Sequence, residues 1–384
     1  MKKNILLYLI PIILVMIVGF ACGPKPIKEA SVLDTPENHF NQGMREIERG
    51  NLDAAATEFE RAIALNPDFA EGFSGLALVA AEKGDFKKAY DLANKGIGKN
   101  KKSLDARIIK GRIIVMEHKG DDWIKKAVKE FDAALKINPN SAKALFYKGE
   151  AYKNAYMFDD AASVFRKVIA LKGDYAAEAN EEWALVQKIQ RAAPGTKVGA
   201  KIALIDEIDR ADLAVLLIEE LKLLDILEKK KPKTYDTGFQ APEDPTKMQT
   251  SQVTQMAQIT DLDDHWAKNW IKDIVKAGGM DVFPDHTFRP DEKITRANFA
   301  MIMQNILIMV TGDESLATKY IGTPSRFPDV NPSHYAYNAI CLMVDRGIMQ
   351  ADKITGAFNL NNKVSGADAL LTIRDFQNAL RMTF

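Results

Sequence analysis

The stretch Gly43-Met44-Arg45-Glu46-Ile47-Glu48-Arg49-Gly50-Asn51-Leu52-Asp53-Ala54-Ala55-Ala56-Thr57-Glu58-Phe59-Glu60-Arg61-Ala62-Ile63-Ala64-Leu65-Asn66-Pro67 sets small, aromatic and helix-ending residues at offsets that recur along the chain. From Gly43, the residues Ala55, Phe59, Ala62 and Pro67 lie 12, 16, 19 and 24 positions on, and Gly149 is followed at the same offsets by Ala161, Phe165, Val168 and Gly173. Between them, Ala77 leads to Ala89, Ala93 and Gly96, while Gly111 leads to Ala127, Phe131, Ala134 and Pro139 with four extra residues around Asp121 to Ile124. The starts at 43, 77 and 111 are 34 residues apart, and 149 lies 38 further on, which is one period plus the insertion. This spacing predicts paired antiparallel helices. Small residues let the two helices approach, Phe59 fills the gap between neighbouring pairs, and Pro67 stops the second helix. Gly50-Asn51 and Gly84-Asp85 supply the turns within the pairs.

The pattern resembles the tetratricopeptide repeat family over four repeats, with Ala176 to Arg191 as a capping helix, so that residues 35–191 read as a solenoid. The second repeat departs most, since Ala93, Gly96 and Lys101 replace larger or helix-ending residues. The resemblance implies a superhelix whose concave face holds a protein partner, lined by Phe40, Met44, Ile47, Leu78, Ile108, Arg112, Val115, Phe146 and Lys153. On that reading the face is mostly apolar and suits an apolar or helical partner rather than a free chain terminus. The alternative is that the chain's own next segment covers these residues.

Upstream, Met1-Lys2-Lys3-Asn4 precedes an almost unbroken apolar run from Ile5 to Ala21, the charged start and hydrophobic stretch of an export signal over residues 1–21. Its end, Val18-Gly19-Phe20-Ala21-Cys22-Gly23, resembles the lipobox of bacterial lipoproteins, with Gly19 where that family has a larger aliphatic residue. The resemblance implies that Cys22 is lipidated and becomes the mature N-terminus, followed by a linker over 22–34. An uncleaved single-span anchor is the other reading, and both place the body outside the cytoplasm. Removing Lys2 and Lys3 leaves 50 basic against 52 acidic residues, so membrane attachment would come from acyl chains rather than attraction to anionic lipid.

Downstream, residues 258–310 carry Ile259-Thr260-Asp261-Leu262-Asp263-Asp264-His265-Trp266-Ala267, an amphipathic stretch through Ile271, Ile274 and Val275, the turn Phe283-Pro284-Asp285-His286-Thr287-Phe288-Arg289-Pro290, and a second helix opening Ile294-Thr295-Arg296-Ala297-Asn298-Phe299. This order of motifs resembles a surface-layer homology repeat, with His286 and Asn298 where that family has Gly and Glu. A degenerate copy over 325–384 runs from Phe327-Pro328-Asp329-Val330 through His334-Tyr335-Ala336 to Val364-Ser365-Gly366-Ala367, with Gly366 in the place of Arg296. A partial first unit over 195–228 echoes the second helix at Ile208-Asp209-Arg210-Ala211-Asp212-Leu213. Helices at 208, 294 and 364 would then surround a pseudo-threefold centre, with the polar, proline-containing segment 229–257 as a flexible linker. The resemblance implies binding of cell-wall polysaccharide or peptidoglycan, with Trp266, Asp285, Thr295, Arg296 and Arg210 as the glycan-binding residues. Aromatic faces suit sugar C–H surfaces, and a planar guanidinium suits hydroxyls or carboxylates. For each residue a plainer role stands beside this one: packing for Trp266 and Tyr335, turn formation for Asp285, and an internal ion pair for Arg296.

Across its 384 residues the chain is 47% hydrophobic and 27% charged, which excludes collagen-like, disordered and polytopic membrane classes. With 52 basic and 52 acidic residues it lacks the positive field on which nucleic-acid binding depends. The five histidines form no metal spacing with one another or with cysteine, and no nucleophile-elbow, zincin or paired-cysteine motif occurs. Gly195-Thr196-Lys197-Val198-Gly199-Ala200-Lys201 has the wrong spacing for a phosphate loop and reads as a linker into a helix. No catalytic residue, metal or cofactor is expected. The expectation is a mainly α fold, a tetratricopeptide-repeat solenoid followed by an α-helical surface-layer homology module. It would serve a non-catalytic envelope lipoprotein, outer-membrane-attached and facing the periplasm. The other reading is a protein-interaction subunit of an envelope export or assembly complex, with the C-terminal module as a protein-docking fold.

Overall fold

The computed structural model of the chain describes residues 26–230 and 259–381. The expected signal segment 1–21, the lipidation site Cys22 and nearly all of the expected linker 229–257 lie outside the described residues. The chain divides into two compact units between Trp183 and Ala184.

The first unit is a succession of helix pairs: α1 (Pro36–Glu48) with α2 (Leu52–Leu65), α3 (Ala70–Glu82) with α4 (Phe86–Lys99), α5 (Leu104–Glu117) with α6 (Trp123–Ile137), and α7 (Ala142–Asn154) with α8 (Phe158–Leu171). Each start has a local cause. The Thr35, Ser103 and Ser141 hydroxyls accept from the third amide onward, and Asp85 does the same for α4. Gly50 and Gly84 turn the chain within their pairs at φ +78° and +80°, a conformation that suits glycine.

Close approach explains the repeat glycines. A Cβ on Gly43 would lie 2.5 Å from the Phe59 ring, and one on Gly75 of the following pair 2.4 Å from the same ring. Phe59 therefore lies between its own pair and the next. Gly111 and Gly149 press on Phe131 and Phe165 in the same way, at 2.7 and 2.6 Å. All three phenylalanines are fully buried, each contributing roughly 1.5–3 kcal/mol. The divergent second repeat closes by a different contact, with Gly96 set against the Ala70 carbonyl and the Ser74 hydroxyl. Its second helix still ends on schedule without proline. Asn66, Asn100 and Asn138 share one extended conformation, and each side-chain oxygen accepts the amide two residues on, at 3.0, 2.9 and 3.1 Å. The insertion before α6 is a left-handed turn at His118 and Gly120, with the His118 ring 4.1 Å from that of Trp123.

Helix α9 (Ala176–Ala192) contains the division between the units. The second unit continues with α10 (Lys197–Ile202), α11 (Arg210–Glu219), α12 (Leu223–Lys230), α13 (Lys268–Lys276), α14 (Arg296–Thr311), α15 (Tyr337–Asp345) and α16 (Gly366–Arg381). Residues 195–201, read as a linker into a helix, enter that helix, α10, from Lys197 onward. Thr196 caps it, and the Gly195 and Thr196 amides and the Thr196 hydroxyl all donate to the buried Glu220 carboxylate at 2.7–3.0 Å. That partner lies far along the chain, so nothing local announces it.

Three backbone hydrogen bonds close a ring at the expected pseudo-threefold centre. Ile208 N–H donates to the Val364 carbonyl at 2.9 Å, Val364 N–H to Ile294 at 3.1 Å, and Ile294 N–H to Ile208 at 3.1 Å. Each of these residues precedes a helix cap: Asp209 for α11, Thr295 for α14 and Ser365 for α16, whose side chains accept from Asp212, Asn298 and Asp368 amides. Helix α11 is buried from Ala211 to Leu217. Phe288, Phe299, Phe358 and Phe376 are fully buried in this unit. Cys341 is buried, as its apolar surroundings in the sequence imply.

Candidate functional site

The two surface-layer-like copies build the same loop from the same parts. The Asp261 carboxylate accepts the Phe288 and Arg289 amides at 2.9 and 2.7 Å, and Asp329 accepts those of Phe358 and Asn359 at 2.8 and 2.6 Å. These bonds hold Arg289 and Asn359 in left-handed backbone, at φ +54° and +58°. His286 stands at φ +61° where the second copy has Gly356 at +71°, which accounts for glycine being usual at that position in the family it resembles.

Arg210 and Arg296 then clamp each helix start to the next loop. Arg210 Nε donates to the Phe288 carbonyl at 2.7 Å and Nη2 to that of Asp281 at 2.8 Å, and its guanidinium lies 4.5 Å from the Phe288 ring centroid. Arg296 repeats the arrangement on Phe358 O at 2.8 Å, Gln350 O at 2.7 Å and the Phe358 ring at 4.5 Å. Burial lowers the pKa of both arginines from the ordinary value. The Nε and Nη2 donors of both forks, expected to face a ligand, are thus committed to backbone carbonyls. Gly366 lacks such a clamp because there is no room for a side chain. A Cβ there would lie 1.7 Å from the Ile202 carbonyl oxygen.

Both arginines nevertheless border clefts. One, of about 260 Å³, is lined by Arg210, Asp281, Phe283, Pro284, Asn298 and Met301 among others. The other, of about 280 Å³, includes Arg296, Met349, Gln350, Asp352, Asp368 and Thr372. Trp266 is 55% exposed and Tyr335, at the matching position, 68% exposed. Each follows a histidine whose Nδ1 accepts the next-but-one amide at 3.2 Å. The Tyr335 hydroxyl donates at 3.4 Å to Asn298, which lines the first cleft, so an exposed ring stands at its edge. The sequence pairs Tyr335 with Trp266 as packing aromatics without placing it at a site, and its position equivalent to Trp266 is the signal that marks it.

The remaining expected glycan residues have internal duties. The Thr295 hydroxyl caps α14 at 3.2 Å. Asp285 accepts the Thr287 hydroxyl at 2.6 Å and amide at 3.0 Å and pairs with Arg289 at 3.1 Å, which pulls its carboxyl down to about 2.

In the solenoid the expected partner face is also revised. Leu78 and Ile108 are fully buried, and Phe40 nearly so beneath Phe69 at 6.2 Å. Phe146 is flanked by Phe165 at 5.9 Å and Tyr175 at 5.0 Å. Aromatic residues just before α3 and α9 thus cover rings of the preceding pair. Met44, Ile47 and Val115 are half-buried against the core. Beside these partly covered apolar residues the face carries polar and aromatic groups. The Arg112 guanidinium lies 4.5 Å from the Tyr147 centroid, its Nη1 has no hydrogen-bond partner among the described residues, and Lys153 pairs with Glu150 at 3.0 Å and with Glu182. Arg112 and Glu150 each directly follow a repeat glycine, a register visible in the sequence. Among the described residues no group of three or more His, Cys, Asp or Glu side chains could hold a metal ion. Nor is any described helix long and apolar enough to cross a membrane.

Comparison with known proteins agrees with this division. Residues 40–102 match the tetratricopeptide repeat family, and residues 258–300 and 326–370 match the S-layer homology domain. The chain carries tetratricopeptide repeats and an S-layer homology domain. It is 33% identical over 114 residues to cell surface glycoprotein 1 of Acetivibrio thermocellus, covering 29% of this chain and 5% of that protein. To anaphase-promoting complex subunit 3 of Schizosaccharomyces pombe it is 28% identical over 119 residues, covering 30% and 17%. The chain thus spans only a small part of either relative. Among solved structures, a thermophilic tetratricopeptide-repeat protein of Thermus thermophilus aligns over 50% of this chain and 94% of its own at 20% identity and a TM-score of 0.36. Pseudomonas aeruginosa PilF aligns over 50% and 84% at 17% identity and a TM-score of 0.34. S-layer homology domains bind cell-wall polymers and tetratricopeptide repeats mediate protein interactions. The S-layer homology domain indicates a cell-envelope or cell-surface location, and no enzyme family is indicated.

Proposed function

We propose that the protein is a non-catalytic tether of the cell envelope. An acylated Cys22 attaches it to the outer membrane facing the periplasm, the S-layer homology clefts grip peptidoglycan or wall polysaccharide, and the solenoid takes a protein partner. The observation that carries the wall-binding part is the pair of exposed rings, Trp266 and Tyr335, at matching positions of two copies, with Tyr335 beside a cleft. Large exposed aromatic rings offer a face to sugar C–H groups at little conformational cost. In this reading Arg210 and Arg296 position the loops that shape the clefts.

The test is co-sedimentation of residues 23–384, which lack the apolar export segment and the lipidation site and so stay in solution, on wall sacculi that retain their attached polysaccharides. Trp266→Ala/Tyr335→Ala should lose most of its binding while keeping its melting temperature. A fragment starting at 192 would be unsuitable, because Lys188 pairs with Asp368 at 2.8 Å and the Ala192 carbonyl accepts from Arg374 at 3.2 Å. One observation favours the protein-docking alternative: both arginines direct their Nε and Nη2 donors inward. Failure of the unsubstituted chain to sediment would select that reading.

A further inference from the structure

Just before α1, the turn Ser31–Asp34 reverses the usual placement of apolar and charged groups. Its carboxylate is almost fully covered, while Val32 is 91% and Leu33 75% exposed. The turn is held on every side. Asp34 N–H donates to the Ser31 carbonyl at 3.1 Å, Ala30 N–H to the Asp34 carboxylate at 2.6 Å, and the Asn38 side chain to the Leu33 carbonyl at 3.0 Å. Arg61 donates its Nε to the same carboxylate at 2.9 Å, and His39 Nε2 lies 2.8 Å from it. Upstream, Ile27 N–H donates to the Ala64 carbonyl at 2.9 Å, and the Ile27 side chain is itself 44% exposed. Two aliphatic side chains are therefore presented to solvent on a fixed support rather than on a loose end.

We propose that this tip seats on the bilayer that anchors the chain, with Val32 and Leu33 entering the boundary between headgroups and acyl chains. The proposal rests on the membrane-anchor reading of the N-terminus. Ile27 is five positions on from Cys22, and a chain spans at most about 3.6 Å per residue, so the pinned amide of Ile27 lies within roughly 18 Å of an acylated residue 22. The limit is nearly the same if residues 5–21 remain as a span. Apolar side chains at an interface bury about 5–10 Å into that boundary, so such a short tether holds them within reach of it. Lipid attachment alone would leave the solenoid to swing about its anchor. Seating the tip adds a second point of contact and gives the first helix pair a defined orientation to the membrane.

The experiment uses the full acylated chain with Leu33→Cys carrying an environment-sensitive fluorophore, and Val32→Cys as a second variant. Both sites are so exposed that neither change touches the core. Cys22 is blocked by acylation and Cys341 is 1% exposed, so the label goes to the new thiol. The protein is reconstituted into phosphatidylcholine vesicles with or without a lipid carrying a nitroxide high on its acyl chain. The expected result is co-flotation, a blue-shifted emission at both positions, and a several-fold loss of intensity with the nitroxide lipid. Co-flotation with emission unchanged by vesicles overturns the proposal and leaves the anchor standing. A blue shift that the nitroxide lipid does not quench places protein, such as a second copy, over the tip and also overturns it. Failure to float removes the anchor and the proposal together.

Discussion

The backbone of Gly366 lies so close to that of Ile202 that a Cβ on it would stand 1.7 Å from the Ile202 carbonyl oxygen. Its amide donates to the Ile205 carbonyl at 2.8 Å, as the Arg210 and Arg296 amides at the matching positions of the other units donate to those of Glu292 and Asn362. What reads in the sequence as a lost ligand contact is a requirement of ring closure. Restoring the family residue by Gly366→Arg should destabilise the second unit by about 3 kcal/mol or more, since backbone cannot move aside as a side chain can. A fall in melting temperature of roughly 6–12 °C checks it, and an unchanged melt would show that the ring is looser than this.

Arg296→Ala should destabilise by about 2 kcal/mol, from two charge-assisted bonds lost and the Phe358 and Gln350 carbonyls left unpaired. Arg296→Lys should recover less than half of this, because an ammonium cannot bond both carbonyls in the plane of a fork and stack on Phe358. Urea unfolding of the three chains distinguishes this from a purely ligand-binding role, which would leave the midpoints alike. It also means that loss of wall binding by Arg296→Ala does not identify a ligand contact.

The repeats were legible because close helix approach demands glycine or alanine at fixed distances from a large ring, and Gly43, Phe59, Gly149 and Phe165 state that demand within one period. The second repeat read as weak because Ala93, Gly96 and Lys101 replace larger or helix-ending residues, yet Asn100 ends its helix as Asn66 and Asn138 end theirs, a register equally present in the sequence. The order of motifs and the resemblance pointed to helices at 208, 294 and 364 around one centre, while the hydrogen-bonded ring of Ile208, Ile294 and Val364 is visible only in the structure. Partners distant in sequence were not legible. Nothing near Arg296 announces the Gln350 carbonyl, nothing near Thr196 announces Glu220, and the burial of Leu78 and Ile108 depends on how successive pairs stack. Of the candidate site, the aromatic at Trp266 could be picked out from the sequence, whereas the bonds that engage Arg210, Arg296 and Thr295 within the fold could not, because the partner carbonyls of the two arginines lie more than fifty residues away.

The support of the Val32–Leu33 tip should depend on pH at both ends. Arg61 and the Ala30 amide hold the Asp34 carboxyl well below its ordinary 3.8, so its contribution is present above that value and is lost as pH falls through the folded value. For His39, burial acts to lower the pKa, but hydrogen bonds to Glu58 and Asp34 outweigh it and raise it above 6.5. Its contribution is present below 6.5 and is lost as pH rises through the folded value. Protection of the Ala30 and Asp34 amides from hydrogen exchange, corrected for intrinsic rate, should therefore be greatest between about pH 4 and 6.5. In His39→Gln the fall on the alkaline side should vanish. A flat profile in the unsubstituted chain would contradict the arrangement.

Two glycines of the solenoid should respond to alanine with opposite sign. At Gly149 a Cβ would lie 2.6 Å from the Phe165 ring, which is fully buried and cannot turn away, so Gly149→Ala should destabilise by about 1–3 kcal/mol. Combining it with Phe165→Leu, which frees the space the ring occupied, should give less than the sum of the single changes, with a coupling of about 1 kcal/mol. At Gly98, in the last turn of α4, nothing lies within 4 Å of a new Cβ. There the lower conformational freedom of alanine in the unfolded chain acts alone, and Gly98→Ala should stabilise by about 0.5–1 kcal/mol. Chemical unfolding of the four variants measures both. Destabilisation at Gly98 would mean that helix approach governs even the exposed end of the second repeat, and additivity at 149 and 165 would mean that the ring and the glycine do not share the space the contact distances assign to them.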